Sequence, residues 1–308
     1  MSKENANHAV RIVIASAAVI LFAFGTFFDL PAEQAVYHPN QPAALVFTVL
    51  GYYLFFGPFE FLTGALCRQL MHLAATRTKR ILSLAICSYI GISTAVLGGM
   101  GLVSDSVLGL LFPEVEFTFL RCFLIGVIVF CPLVALGMLL NGDRADKATV
   151  YCLILLLGIL TLSFFGQVLF TSVTNRPRYR ITLLGLEELT FRPWYTPLRD
   201  AAQLSARYAL KSDALRSFFS GHAMDAVLNL AIFPAFALVF PGLQTKERFL
   251  KLAALLLIPP IAFSRMVLGA HYLSDVSAGM LCGLLLVILY EAGAASVKAR
   301  HRSEPCRD

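Results

Sequence analysis

Long apolar runs recur along this chain at 10–29, 44–67, 81–103, 119–140, 149–172, 224–241, 250–268 and 272–295. Each is close to the roughly 20 residues that an α-helix needs to cross a hydrocarbon core. Polar stretches separate the runs; most are short, and 173–223 is by far the longest. The pattern predicts an all-α fold, a polytopic transmembrane helical bundle of about eight spans. Pro234, Pro259 and Pro260 interrupt the later runs, which a membrane helix tolerates when its neighbours satisfy the freed carbonyls. The first run, Val10 to Phe28, lacks an A-x-A cleavage site and is long enough to span, so it reads as a helix and not as a cleaved leader.

Composition agrees with that reading. Apolar residues make up 58% of the chain and charged residues 14%, against about 45–50% and about 25% in soluble domains. Mean hydropathy is +0.74. One anchor does not account for such an excess, so residues 1–308 read as a single integral membrane domain. The net charge of +6 needs no nucleic-acid partner, since no basic stripe with interleaved aromatics is present. The seven cysteines (67, 87, 122, 131, 152, 282 and 306) contain no C-x-x-C pair and fall mostly within apolar runs. They read as small buried hydrophobes, not as a disulfide framework or a zinc site.

Charge placement sets the topology. Eight spans put both termini on one side, and that side collects Lys3, Arg11, Arg68, Arg77, Lys79, Arg80, Arg144, Lys147, Lys246, Arg248, Lys251, Lys298, Arg300, Arg302 and Arg307. The opposite connections 30–43 and 104–118 contain no Lys or Arg. The positive-inside rule therefore places both termini in the cytoplasm. Loop 173–223 breaks the pattern: it lies outside yet carries Arg176, Arg178, Arg180, Arg192, Arg199, Arg207, Lys211 and Arg216. An anionic ligand is one reason to keep cations there. Pairing with Glu187, Glu188, Asp200 and Asp213 in a folded surface segment is another.

Three polar clusters meet on this outer face: Thr174 to Arg180 (TNRPRYR), Ser217 to Asp225 (SFFSGHAMD) and Ser264 to Asp275 (SRMVLGAHYLSD). Ionisable groups at membrane depth are expensive and mark function by default. Arg176 and Arg265 are planar forks suited to phosphate. Ser220 and Gly221 open an apolar helix, whose N-terminal amides and dipole favour an anion. His271 and Asp275 are four residues apart, so a helix starting near the histidine stacks them on one face. A carboxylate there can accept the Nδ1–H and leave Nε2 free to attack. His222 is placed to protonate a leaving oxygen. Two histidines in separate roles, with two arginines, form the inventory for phosphoryl transfer through a phosphohistidine.

R-P, then S-G-H, then S-R-x5-H-x3-D resembles the type 2 phosphatidic acid phosphatase superfamily of membrane lipid phosphatases, whose pattern is K-x6-R-P, P-S-G-H and S-R-x5-H-x3-D. The third motif is complete as Ser264, Arg265, His271 and Asp275. The second is Ser220-Gly221-His222, with Phe219 in the proline position; the first keeps Arg176-Pro177 but has Leu169 in the lysine position. The resemblance covers residues 149–295, leaving the spans of 1–140 partly extra to it.

It implies a six-helix core active without a metal or other cofactor. His271 becomes the nucleophile, Asp275 its orienting partner and His222 the general acid. Arg176, Arg265, Ser220 and Gly221 hold the phosphoryl oxygens, and Arg178 joins them or lines the entrance. The function implied is hydrolysis of a lipid phosphate or polyprenyl (di)phosphate at the outer face of the plasma membrane. Two alternatives stand beside it: a phosphotransferase using the same histidine, and a weak lipid-phosphate binder lacking the motif lysine. Trp194 suits an interfacial anchor or lid, and Glu60 is the one feature that speaks for transport.

Overall fold

The computed structural model describes residues 3–103, 118–141, 146–211 and 213–303. Arg144, Arg307, Cys306 and the connection at 104–117 lie outside the described residues. The long helices are α1 (Lys3–Val36), α2 (Pro42–Leu73), α3 (Arg77–Val103), α4 (Phe119–Leu140) and α5 (Lys147–Thr174). Two short helices follow, α6 (Tyr179–Thr182) and α7 (Ala201–Arg207), and then α8 (Gly221–Val239), α9 (Glu247–Val267) and α10 (Leu273–Ser303). Eight of the described helices are long and apolar enough to cross a membrane, and no strand occurs among the described residues. The apolar runs therefore became helices, as expected. Several helices outrun the apolar segments: α1 covers Lys3–Val36 against 10–29, α2 reaches Leu73 against 67, and α10 reaches Ser303 against 295. α8 starts at Gly221 and not at 224, because the Ser220 hydroxyl accepts from the Ala223 amide (3.4 Å) and caps the helix there.

Contacts divide the chain into two compact units. One comprises residues 52–162, 229–255 and 286–308. Small residues set its packing: a Cβ on Gly99 would lie 2.1 Å from the Cys122 carbonyl, and one on Gly126 2.1 Å from that of Ala95. α3 and α4 thus meet backbone to backbone, the usual solution where helices associate without a hydrophobic driving force. Asn141 ties two helix ends together, accepting from Gln69 (3.2 Å) and donating to the Ala65 carbonyl (2.8 Å). Glu60 is fully buried and accepts from the Thr94 hydroxyl, so it is an interior polar contact.

The other unit comprises residues 1–51, 163–228 and 256–285 and holds every motif residue. α1 kinks at Phe28 (φ −123°, ψ 18°), three residues before Pro31. Proline removes an amide and crowds the preceding turn, which accounts for the bend. Residues 183–211 and 213–220 fold upon a small core of Ile181, Leu189, Leu198, Leu204, Ala214 and Leu215. Part of the loop's charge is spent on itself: Glu188 accepts from Arg207 (3.0 Å) and from the Tyr208 hydroxyl (2.8 Å). Trp194 stacks on Phe218 at 5.3 Å and donates to the Thr26 hydroxyl of α1 (3.2 Å). It fastens the loop to α1.

Candidate active site

α5 ends at Thr174, and Asn175 turns the chain through a left-handed conformation (φ 45°), one that asparagine tolerates better than most residues. The next residues are held on both sides. Arg178 N–H donates to the Ala214 carbonyl (3.1 Å), Ser217 N–H to that of Arg176 (3.0 Å), and Arg180 N–H to that of Gly269 (3.1 Å). Gly269 has φ +62°, and a Cβ there would press on Tyr37 at 2.7 Å. The three motif clusters are thereby joined through backbone hydrogen bonds before any side chain is considered.

His271 lies in the turn between α9 and α10, two residues ahead of the helix, and not on its face. Its Nδ1 sits 2.6 Å from the Ser217 carbonyl, whereas the nearest Asp275 oxygen is 4.0 Å away. A carbonyl can only accept, so Nδ1 carries the proton and Nε2 is the basic nitrogen. Asp275 acts one step back. It accepts from the Ser217 hydroxyl (2.5 Å), from Tyr272 N–H (2.8 Å) and from Arg176 Nη1 (2.5 Å). The Tyr272 bond is the return half of a capping box, with Asp275 as third residue of the helix reaching back to the cap. Ser217 is thus the joint between the aspartate and the histidine. No motif position marks Ser217, so its part is not visible in the sequence.

The arginines sort into two groups. Arg176 is committed to the scaffold: Nε donates to the Arg192 carbonyl (2.8 Å), Nη1 to Ser274 (3.0 Å) and Asp275, and Nη2 to Asp29 (2.8 Å). Its Cζ lies 4.1 Å from the Tyr272 ring centroid. Four of a guanidinium's five N–H donors are therefore used, which leaves little for a phosphate, contrary to the sequence expectation. Arg178 faces the two histidines instead. Its charge, with that of Arg265, acts on both His271 and His222, and it pairs with Asp213 at 3.2 Å. Arg180 reaches the same carboxylate at 3.8 Å and faces Arg265.

Arg265 is completely buried. Its Nη1 donates to Thr48 Oγ1 of α2 (2.9 Å), while Nε and Nη2 have no hydrogen-bond partner among the described residues. Burying a guanidinium with two idle donors beside two further arginines is costly unless an anion completes the set. His222 stands in the first turn of α8, hydrogen-bonded to the Thr48 backbone. Ser220 N–H is already given to the Asp275 carbonyl (3.0 Å), so this amide at the entry of α8 serves the scaffold, and the positive end of the helix dipole remains directed at the cluster. Gly279 makes this possible: a Cβ there would lie 2.3 Å from the Ser220 carbonyl. Leu169, in the motif lysine's position, is 64% exposed on α5.

Burial, followed by the charges on Arg178 and Arg265, holds the His271 imidazole well below the usual histidine range. A neutral ring is what a nitrogen nucleophile requires. The unfolded chain takes up the proton first, so stability falls as pH drops below about 6.5 and levels off only beneath the folded value. The midpoint of thermal unfolding in detergent is expected to fall between pH 8 and pH 5, and to fall less in His271→Asn. Equal slopes in the two proteins would contradict a neutral buried His271.

Neither a curated protein nor a solved structure matches the chain. Residues 147–294, which contain Arg178, His222, Arg265 and His271, match the family model of the PAP2 superfamily, and this part of the chain is a member of that superfamily.

Proposed function

We propose that the protein is a membrane phosphatase that hydrolyses a lipid phosphate or polyprenyl (di)phosphate through a phosphohistidine on His271. The observation that carries the reading is the pairing of a neutral, Nδ1-anchored His271 with a buried Arg265 whose Nε and Nη2 await an anion. In the first half-reaction, Nε2 of His271 attacks phosphorus, the N–P bond forms and the P–O bond to the lipid alcohol breaks. His222 gives its proton to that leaving oxygen. In the second, His222 takes a proton from water, the water oxygen attacks phosphorus, and the N–P bond breaks to release inorganic phosphate. Arg178, Arg180, Arg265 and the positive end of α8 carry the charge that spreads over the equatorial oxygens. Arg180 is the cation we assign to the charge that the family's lysine supplies.

The placement of loop 173–223 opposite the Lys- and Arg-rich connections supports an outer-face site with both termini in the cytoplasm. The apolar helices around the site support a substrate presented from the bilayer.

Purified protein in detergent, given a panel of lipid phosphates with EDTA, is expected to release inorganic phosphate. No step calls on a metal, so EDTA should not slow it. Transfer of the phosphoryl group to an added alcohol in place of release would make the enzyme a phosphotransferase. Neither product from any lipid phosphate would overturn the reading.

A further inference from the structure

We propose that Asp29, on α1 and outside residues 147–294, is a positioning residue for the phosphoryl-transfer centre. The inference rests on the phosphatase reading above and adds a residue to it that no motif contains.

Asp29 is buried, with 2% of its surface exposed. Its Oδ2 accepts from Arg176 Nη2 (2.8 Å) and from the Ser274 hydroxyl, and its Oδ1 accepts from Ser274 N–H (2.8 Å). Ser274 is the second residue of α10, so its amide has no partner within the helix. Asp29 therefore does from another helix what a capping side chain usually does from the same one, and it puts negative charge at the positive end of α10.

The backbone is shaped for this contact. A Cβ on Gly25 would lie 2.6 Å from Ser274 N, so α1 touches the start of α10 only because residue 25 is glycine. Gly25 and Asp29 are four apart and share one helix face, and the kink at Phe28 falls between them.

What Asp29 holds is the support of His271. Arg176 bridges two carboxylates, Asp29 and Asp275. Asp275 fixes Ser217, and the Ser217 carbonyl fixes the imidazole. Arg178, Arg180 and Arg265 make no contact with Asp29 among the hydrogen bonds and ion pairs described here. Loss of the Asp29 charge should therefore loosen the nucleophile and spare phosphate binding.

The test compares Asp29→Asn, Asp29→Glu and Ser274→Ala with wild type and with His271→Ala, using a lipid phosphate that wild type hydrolyses. For Asp29→Asn, kcat is expected to fall about 10- to 100-fold, the scale of an ångström-size misplacement. KM and the inhibition constant for vanadate should stay within about threefold. Asp29→Glu should recover part of kcat. Ser274→Ala, which removes one hydroxyl and keeps every charge, should lose kcat in the same sense by a smaller factor.

Wild-type kcat in Asp29→Asn, with His271→Ala inactive, would overturn the inference and leave the phosphatase reading intact. So would a rise in KM and in the vanadate constant matching the fall in kcat. If Asp29→Asn fails to fold, wild-type kcat in Ser274→Ala overturns it instead. Turnover by His271→Ala overturns the phosphatase reading itself, whatever Asp29 does.

Discussion

His271→Ala is expected to reduce phosphate release to background, a loss of at least about a thousandfold, the scale seen when a covalent nucleophile is removed. No other group is placed to replace it: His222 is bound to the Thr48 backbone in the first turn of α8, and Asp275 is held by Ser217, Tyr272 N–H and Arg176. Removing the ring also leaves the Ser217 carbonyl without its donor, which costs about 1–3 kcal/mol in a buried site. His271→Asn separates chemistry from folding. Its amide can still donate to Ser217 but cannot form a phosphoramidate. Both variants should be inactive, and the asparagine variant should unfold close to wild type.

A rapid quench of wild type with radiolabelled substrate should leave acid-labile, base-stable label on the protein, and His271→Asn should leave none. Retained turnover in His271→Asn would end the proposal that this residue attacks.

The same comparison shows what the sequence could and could not disclose. The helices were legible because lipid imposes a length and an apolar composition on every span, and α3, α4 and α5 begin or end close to the expected bounds. Arg265, His222 and His271 were legible because they are costly at membrane depth and stand in a recognisable order. That Arg178 acts on the two histidines while Arg176 is tied to Asp29 and Asp275 has a reason that motif spacing cannot express. The left-handed turn at Asn175 and the pairing of 176–178 with 214–217 decide which side chain enters the cluster. Counting seven back from Arg178 reaches Thr171, a fully buried position, whereas the same count from Arg176 reaches exposed Leu169.

Thr48 and Asp29 were invisible for another reason. They come from the first two helices, 217 and 147 residues away in sequence from Arg265 and Arg176, which they bind. Asp29 closes an apolar run and looks like its polar edge. Only packing of α1 onto the start of α10 makes it part of a network.

Arg265→Lys is expected to lower kcat/KM by about a hundredfold, or ~3 kcal/mol of transition-state stabilisation, the scale of one lost oxyanion donor. Charge is conserved in this variant, so the loss measures geometry. Nη1 of Arg265 is engaged by Thr48, and the donors that remain, Nε and Nη2, share one edge of the guanidinium, where two N–H groups lie parallel. That edge matches two oxygens of a phosphoryl group. An ammonium offers a point charge with no such edge, and its hydration is harder to strip in a fully buried position. Vanadate, which adopts the trigonal-bipyramidal shape of the transition state, should inhibit wild type and lose most of its grip on Arg265→Lys. Thr48→Val should be far milder, because it releases Nη1 and the Ser264 hydroxyl but touches neither N–H of the open edge. The cradle is wrong if Arg265→Lys retains kcat/KM and vanadate sensitivity within about threefold of wild type, since uniform charge would then suffice and the open edge would have no role.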